Sequence, residues 1–296
     1  NTVAVRLYAM RGAENIYRSL RDDFGFDTVV RTAYGKDGGR LTDLAPSPLA
    51  LGQLTYGVSL RRLTEAYTVF PTEGVKYSPR SYTRVYDSDG RLLLDNEKTE
   101  SRVFSTGSAR VMNQMLSGVV ENGTAKRITL KETVDTAGKT GTSGDDRDRL
   151  FIGYTPYYTA GIWLGVNGTD RASVGSIPVS HLGIWDAVMK RVHAPLSAER
   201  EENILSFSVS GLVRLPFCLD SGKLYTHDCA LDPRGSRLAY AYFTPDNVPV
   251  GSCDRHVPLF FDKETHAMAG HGCPEENLEK TALIRVTDRA FPTQVF

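Results

Sequence analysis

From residue 134 to 166 the chain leaves helical periodicity and enters three consecutive strand-like runs. Thr133-Val134-Asp135-Thr136-Ala137 leads through Gly138 into Lys139-Thr140-Gly141-Thr142. Phe151-Ile152-Gly153-Tyr154 follows. After Thr155-Pro156 comes a third run, Thr159-Ala160-Gly161-Ile162-Trp163-Leu164-Gly165-Val166. Strands joined by connections this short pair antiparallel, because a parallel pair needs a long crossover. Helical patterns flank the three runs, and a sheet must bury its apolar face against something. The expected fold class is therefore α+β, an antiparallel sheet covered by helices.

The flanking patterns are specific. Over 105–121, Met112, Met115, Leu116, Val119 and Val120 follow the i, i+3, i+4 stripe, with Ser105 placed to cap the start and Gly123 to end the helix. Over 181–193, Leu182, Trp185, Val188, Met189 and Val192 fall on one face. Further upstream, Ile16, Leu20 and Phe24 predict a helix over 11–24, bounded by Gly12 and Gly25. Leu60, Leu63, Tyr67 and Phe70 predict one over 59–70, with Ser59 as cap and Pro71 as stop. Residues 30–50 read as a loop, and Asp87-Ser88-Asp89-Gly90 reads as the turn of a hairpin over 81–94. Pro195 and the charged run Glu199-Arg200-Glu201-Glu202 read as a linker. Two domains are expected, 1–196 and a small loop-rich extension over 204–296.

Lys-Thr-Gly alone is short enough to arise by chance, and its plain reading is an edge strand with a surface lysine and a bulge-forming glycine. Its surroundings say more. The run from Asp135 to Ser143, then Phe151 to Pro156, then Gly161-Ile162-Trp163-Leu164-Gly165, resembles the transpeptidase domain of class A penicillin-binding proteins. Ala45-Pro46-Ser47-Pro48-Leu49-Ala50-Leu51-Gly52 resembles that family's proline-containing segment, and Glu121-Asn122-Gly123-Thr124-Ala125 its helix-to-strand turn. The resemblance runs from Asn1 to about Val192.

That resemblance implies acyl transfer in which a serine attacks the D-Ala-D-Ala carbonyl of a peptidoglycan stem peptide, with β-lactams as mimics that trap the serine. Such enzymes carry Ser-x-x-Lys, Ser-x-Asn and Lys-Thr-Gly. No serine of this chain has a lysine three positions on or an asparagine two positions on. Asn1 is read as the last residue of Ser-x-Asn, in contact with the substrate amide; the plain alternative is a helix cap. Lys139 is expected to place its charge near the substrate carboxylate and the proton-shuttling serine. Thr140 and Thr142 are expected to offer hydroxyls to the same carboxylate. Gly141 would let the substrate backbone lie close, and the Thr142 N–H would be the second oxyanion donor. Asp145, Asp146, Arg147, Asp148 and Arg149 read as a solvated hairpin cluster. Tyr154, Tyr157, Tyr158 and Trp163 are expected to pack on the sheet, and His181 and His193 to be structural.

The four cysteines, Cys218, Cys229, Cys253 and Cys273, all lie in the last third. Some class A members have a similar Cys…Ser-Gly-Lys…Cys…Cys-x-x-His tail. In an extracytoplasmic protein four cysteines most simply form two disulfides, and sequence-near pairing suggests Cys218–Cys229 and Cys253–Cys273. A zinc site of Cys218, Cys229, Cys253 and His256 is the alternative, and free thiols a third. No cofactor and no metal are assigned.

The 35 basic residues balance 35 acidic ones, so nothing favours a nucleic-acid partner. No apolar stretch approaches the about 18 residues that span a bilayer, so this segment itself is not expected to contact the membrane. The chain is read as part of a longer protein whose membrane anchor and glycosyltransferase domain precede it, located on the extracytoplasmic face of the bacterial membrane. As it stands it lacks the nucleophile and is expected to be inactive alone. A non-catalytic wall- or partner-binding module and a serine β-lactamase-like hydrolase are the competing readings.

Overall fold

The computed structural model describes residues 1–166, 174–176, 179–199 and 205–285. They form two units, Asn1–Ser208 and Val209–Phe296.

The first unit opens with α1 (Thr2–Arg11) and α2 (Ala13–Arg18). They are separated by Gly12, whose φ of 81° lies in the region that favours glycine, and α2 runs on into a π-turn at Ser19–Asp23. The segment expected as loop contains a short hairpin, β1 (Ala33–Tyr34) with β2 (Arg40–Leu41), and a helix, α3 (Pro46–Leu51). Pro46 sits in the first turn of α3 and Gly52 closes it in the left-handed region. Buried Asp43 ties the segment together: its carboxylate accepts from the Val30 N–H at 2.8 Å, the Thr55 N–H at 2.8 Å and the Thr55 hydroxyl at 2.7 Å.

Next come α4 (Leu60–Tyr67), β3 (Val75–Tyr77), β4 (Arg84–Tyr86), β5 (Leu92–Asp95) and β6 (Glu100–Arg102). The Ser59 hydroxyl accepts from the Arg62 N–H, as its position predicts, but α4 stops at Tyr67, short of Pro71. β4 and β5 form the hairpin signalled by Asp-Gly, with Gly90 at φ 78°. β3 pairs with β6.

The central sheet follows α5 (Thr106–Glu121). It consists of β7 (Ala137–Thr142), β8 (Asp148–Tyr154) and β9 (Thr159–Gly165), antiparallel and in the order β7-β8-β9. Period-2 alternation gives it two faces. Phe151 faces α6 (His181–Glu199), where Trp185 packs edge-on against it at 5.0 Å and donates its indole N–H to the Ala160 carbonyl. Val120, Ala125, Ile128, Leu130, Val134, Leu182 and Met189 complete that cluster. Tyr154 and Ala137 face the other way, toward Leu116 of α5, with Tyr67, Phe70 and Phe207 around them. Each large side chain buried this way contributes about 2 kcal/mol.

Three expectations need correction. Met115 is 63% exposed; the buried stripe of α5 is Ala109, Asn113, Leu116 and Val120. Asn113 belongs there because its amide donates to the Phe70 carbonyl and accepts from the Tyr154 hydroxyl at 2.8 Å. Gly123 does not end α5 in a left-handed turn: Asn122 caps it, and a Cβ on Gly123 would meet the Val119 backbone at 2.8 Å. Pro195 lies inside α6, exposed, while Met189 and His193 are buried and anchor the helix. The unit boundary accordingly falls after Ser208. Phe207 packs on Tyr154, and its N–H donates to the Asp135 carboxylate at 2.9 Å. Of the expected linker run, residues 200–202 lie outside the described residues.

The second unit pairs β10 (Val213–Cys218) with β11 (Leu238–Phe243), and sets β12 (His256–Asp262) between β13 (Ala267–Met268) and β14 (Leu278–Ile284). Among its described residues only Cys218, Cys229 and Ala282 are buried apolar side chains, joined by Asp232, His256 and Asp262. In the structure all four cysteines are free thiols. Cys273 approaches Asp262, the last residue of β12, whereas Cys253 stands just ahead of His256, the first. The rise of that strand separates them by about 20 Å. Cys218 and Cys229 do lie close, but as members of a larger group with Cys253 and His256.

No helix among the described residues is long and apolar enough to cross a membrane.

Candidate active-site strand

β7 has a partner only on its β8 side among the described strands, so its other edge is free. The Ser143 N–H donates to the Asp148 carbonyl at 3.0 Å, continuing the β7–β8 ladder. Backbone N–H groups alternate sides along an antiparallel strand, so those of Thr142 and Thr140 point to the free edge. An open row of donors on a strand edge is suited to an extended peptide or to an oxygen that gains negative charge.

The side chains of the motif are arranged around that edge. Lys139 is exposed, and its ammonium donates to the Thr140 carbonyl at 2.8 Å. The Thr140 hydroxyl lies 2.7 Å from that of Thr124. Thr142 is exposed. Gly141 and Gly138 differ sharply. A Cβ on Gly141 would meet nothing nearer than Leu150 Cβ at 3.4 Å, so the sheet itself barely requires a glycine there. A Cβ on Gly138 would come within 2.6 Å of both the Ile152 carbonyl oxygen and the Phe151 ring. Gly138 is thus the residue that lets β7 lie flat on Phe151.

The hairpin after β7 is braced by its own charges. The Asp148 N–H donates to Ser143 Oγ at 2.9 Å, the Arg149 Nε to Asp146 at 2.8 Å, and the Trp163 indole N–H to Asp148 at 2.8 Å. His193 is structural as expected: Nε2 lies 2.8 Å from the Thr155 hydroxyl and Nδ1 2.7 Å from the Met189 carbonyl. Both ring nitrogens of His181 are buried with no hydrogen-bond partner among the described residues, and burial, followed by the Arg149 charge, pushes its pKa down.

Asn1 is exposed at the start of α1, its side chain makes no capping bond, and no described hydrogen bond joins it to β7. A cleft of about 880 Å³ lies between α4 and the β8–β9 turn, lined by Thr64, Tyr157 and Gly161 among others; no residue of Lys139 to Thr142 lines it. Thr124 was visible in the sequence only as part of a resembling turn, and Asn113 gave no signal because a lone asparagine in an apolar stripe reads as a solvated position.

The model of the penicillin binding protein transpeptidase domain matches residues 1–179. The chain belongs to this family. Lys139 to Thr142 and the whole β7–β9 sheet lie inside the matched transpeptidase region. A penicillin-binding protein 1A of Clostridium perfringens is 34% identical over 242 residues, which cover 79% of this chain and 28% of that protein. One of Clostridium botulinum is 29% identical over 286 residues, 96% of this chain and 34% of that protein. An alignment that long takes in most of the second unit as well as the transpeptidase region. The chain spans about a third of the length of these relatives. The crystal structure of penicillin-binding protein 1A from Haemophilus influenzae superposes with a TM-score of 0.63 over 86% of this chain and 39% of that one, at 17% identity, a likeness of fold.

Proposed function

We propose that this transpeptidase-family chain forms one wall of a D,D-transpeptidase site that cross-links peptidoglycan stem peptides by serine acyl transfer on the extracytoplasmic face of a bacterial membrane. The observation that carries the proposal is the free edge of β7, with Lys139, Thr140 and Thr142 on it and the Thr142 N–H directed outward. Lys139 brings the positive charge that a peptide carboxylate, or the carboxylate of a β-lactam, requires. The hydroxyls of Thr140 and Thr142 complete its binding. Gly141 leaves room for the acyl-donor backbone to pair along the edge. As the carbonyl becomes tetrahedral, its oxygen gains charge, and the Thr142 N–H stabilises it at a position set by the sheet before reaction begins. Asn1 is assigned to the substrate amide.

The attacking serine is no part of these 296 residues by motif, so the chain alone does not form the acyl-enzyme. Supplying the Ser-x-x-Lys segment of a class A relative ahead of Asn1 tests the assignment. A covalent fluorescent-penicillin label that appears with that segment, and disappears in Lys139→Ala, supports it. A label of equal strength in Lys139→Ala contradicts it.

A further inference from the structure

The second unit contains a cluster that the transpeptidase reaction does not use. The sulfurs of Cys218, Cys229 and Cys253 and a ring nitrogen of His256 lie within 4.8 Å of one another. Three separate elements deliver them: the end of β10, the short 3-10 turn His227–Ala230, and the Cys253-Asp254-Arg255-His256 entry into β12. Nδ1 of His256 stands 3.5 Å from the Cys218 sulfur and 3.4 Å from that of Cys253. A tetrahedral zinc ion with ordinary Zn–S and Zn–N bonds sets its sulfur-to-nitrogen edges at about 3.6 Å. Those two edges match a tetrahedron around one ion, and all four ligand atoms lie close enough together to share it. We propose that Cys218, Cys229, Cys253 and His256 bind a structural zinc ion that holds the second unit together.

The surroundings fit a thiolate-rich cation site. Nε2 of His256 lies 3.0 Å from Asp232 Oδ2, so its N–H can donate there and leave Nδ1 as the ligand. Asp232 is in turn held by Arg234 at 2.7 Å, and Asp220 by Arg237 at 2.9 Å and Arg234 at 3.0 Å. Those two aspartates are matched by two arginines, which disposes of them as a second cation site. The Asp220 N–H points to the Cys218 sulfur and the Thr226 N–H to that of Cys229, each at 3.4 Å. Donors aimed at sulfur favour thiolate. Binding releases the three thiol protons; three thiolates, one neutral imidazole and Zn²⁺ leave a single negative charge, which these N–H groups spread.

The unit also needs such a centre. Its buried apolar side chains, among the described residues, are Ala282 and two of the ligands themselves. Small domains without a sufficient apolar core depend on disulfides or metals. The metal would join the β10–β11 pair, through Cys218 and the 3-10 turn, to β12, which belongs to a separate sheet. Three converging sulfurs also leave an odd thiol if any two pair, and Cys273 is at the far end of β12.

The test uses the full chain purified without chelator. The expected content is about one zinc per chain. A strong chelator removes it, makes Cys218, Cys229 and Cys253 alkylatable and lowers the melting temperature; zinc restores both. Cobalt in its place gives the sulfur-to-metal charge-transfer absorption and tetrahedral ligand-field bands. Cys273→Ser keeps the full metal content, whereas Cys253→Ser and His256→Ala reduce it to less than about a tenth. Less than about half an equivalent of zinc in the wild-type chain after reconstitution overturns the proposal, as does a mass two hydrogens light that shows a disulfide among the three cysteines. Both measurements are made on wild type, so the failure of a variant to fold does not protect the idea.

Discussion

The hydroxyl of Thr124, in the turn that follows α5, lies 2.7 Å from the hydroxyl of Thr140 in the Lys-Thr-Gly strand. One hydroxyl donates and the other accepts, so the turn fixes which direction Thr140 can offer its proton or lone pair. In the Ser-x-x-Lys-supplied form, Thr124→Val should slow acylation by penicillin about fivefold, the equivalent of about 1 kcal/mol, while Thr124→Ser keeps the rate. Stopped-flow acylation decides it. An unchanged rate in Thr124→Val would show that Thr140 is oriented without the turn.

Gly138 separates the structural from the functional glycine of the motif. Gly138→Ala should cost at least 1 to 3 kcal/mol, roughly the price of overpacking a filled core, because its Cβ would meet backbone at Ile152 and the Phe151 ring. Gly141→Ala should cost less than about 1 kcal/mol in stability, since only Leu150 lies near. Urea unfolding of both variants tests the contrast, and equal losses would refute it.

Tyr154→Phe should destabilise the first unit by about 1 to 2 kcal/mol. The ring stays packed against Phe207, but Asn113 Oδ1 loses its donor inside the core. Asn113→Ala should cost more, since it leaves the buried Tyr154 hydroxyl without its acceptor, removes one of the two donors to the Phe70 carbonyl and leaves space. A melting temperature for Tyr154→Phe equal to wild type would remove the hydrogen bond from the account.

His181 sets a pH dependence. Burial, reinforced by the Arg149 charge and opposed by Asp146, pushes its pKa down, so the fold holds the neutral ring. Above about pH 6.5 neither state binds the proton and the fold is at full stability. As pH falls below that value the unfolded chain takes up a proton that the folded chain resists, and stability drops until the depressed folded pKa is passed. His181→Asn should therefore flatten the loss of stability between about pH 6.5 and pH 5. Parallel slopes for wild type and variant would contradict this.

What the sequence disclosed was local. Ser59 and Ser105 declare their helices because a cap needs only the next three residues, and the order β7-β8-β9 follows from short turns. The motif strand was legible for the same reason. α3 went unread although Pro46 and Gly52 bracket it, because one and a half turns show no periodicity. The run of α6 through Pro195 was hidden because tertiary anchoring by Met189 and His193 outweighs one lost hydrogen bond. Asn113 and Thr124 were illegible as partners because Tyr154 and Thr140 reach them only once the sheet has formed. The grouping of the cysteines was hidden for a related reason: sequence distance suggests pairs, whereas Leu224 bonds to Gly251 and Cys253 and so carries Cys253 back to Cys218.

The central claim is that β7 supplies the electrostatic wall of an acyl-transfer site and that the nucleophile comes from elsewhere. The most direct measurement is covalent labelling by fluorescent penicillin, read after denaturation, on the 296-residue chain alone and with a Ser-x-x-Lys segment supplied. The account predicts no label on the chain alone, a label with the segment, and a loss of at least about a hundredfold in labelling rate for Lys139→Ala. A label on the chain alone that survives denaturation would contradict it.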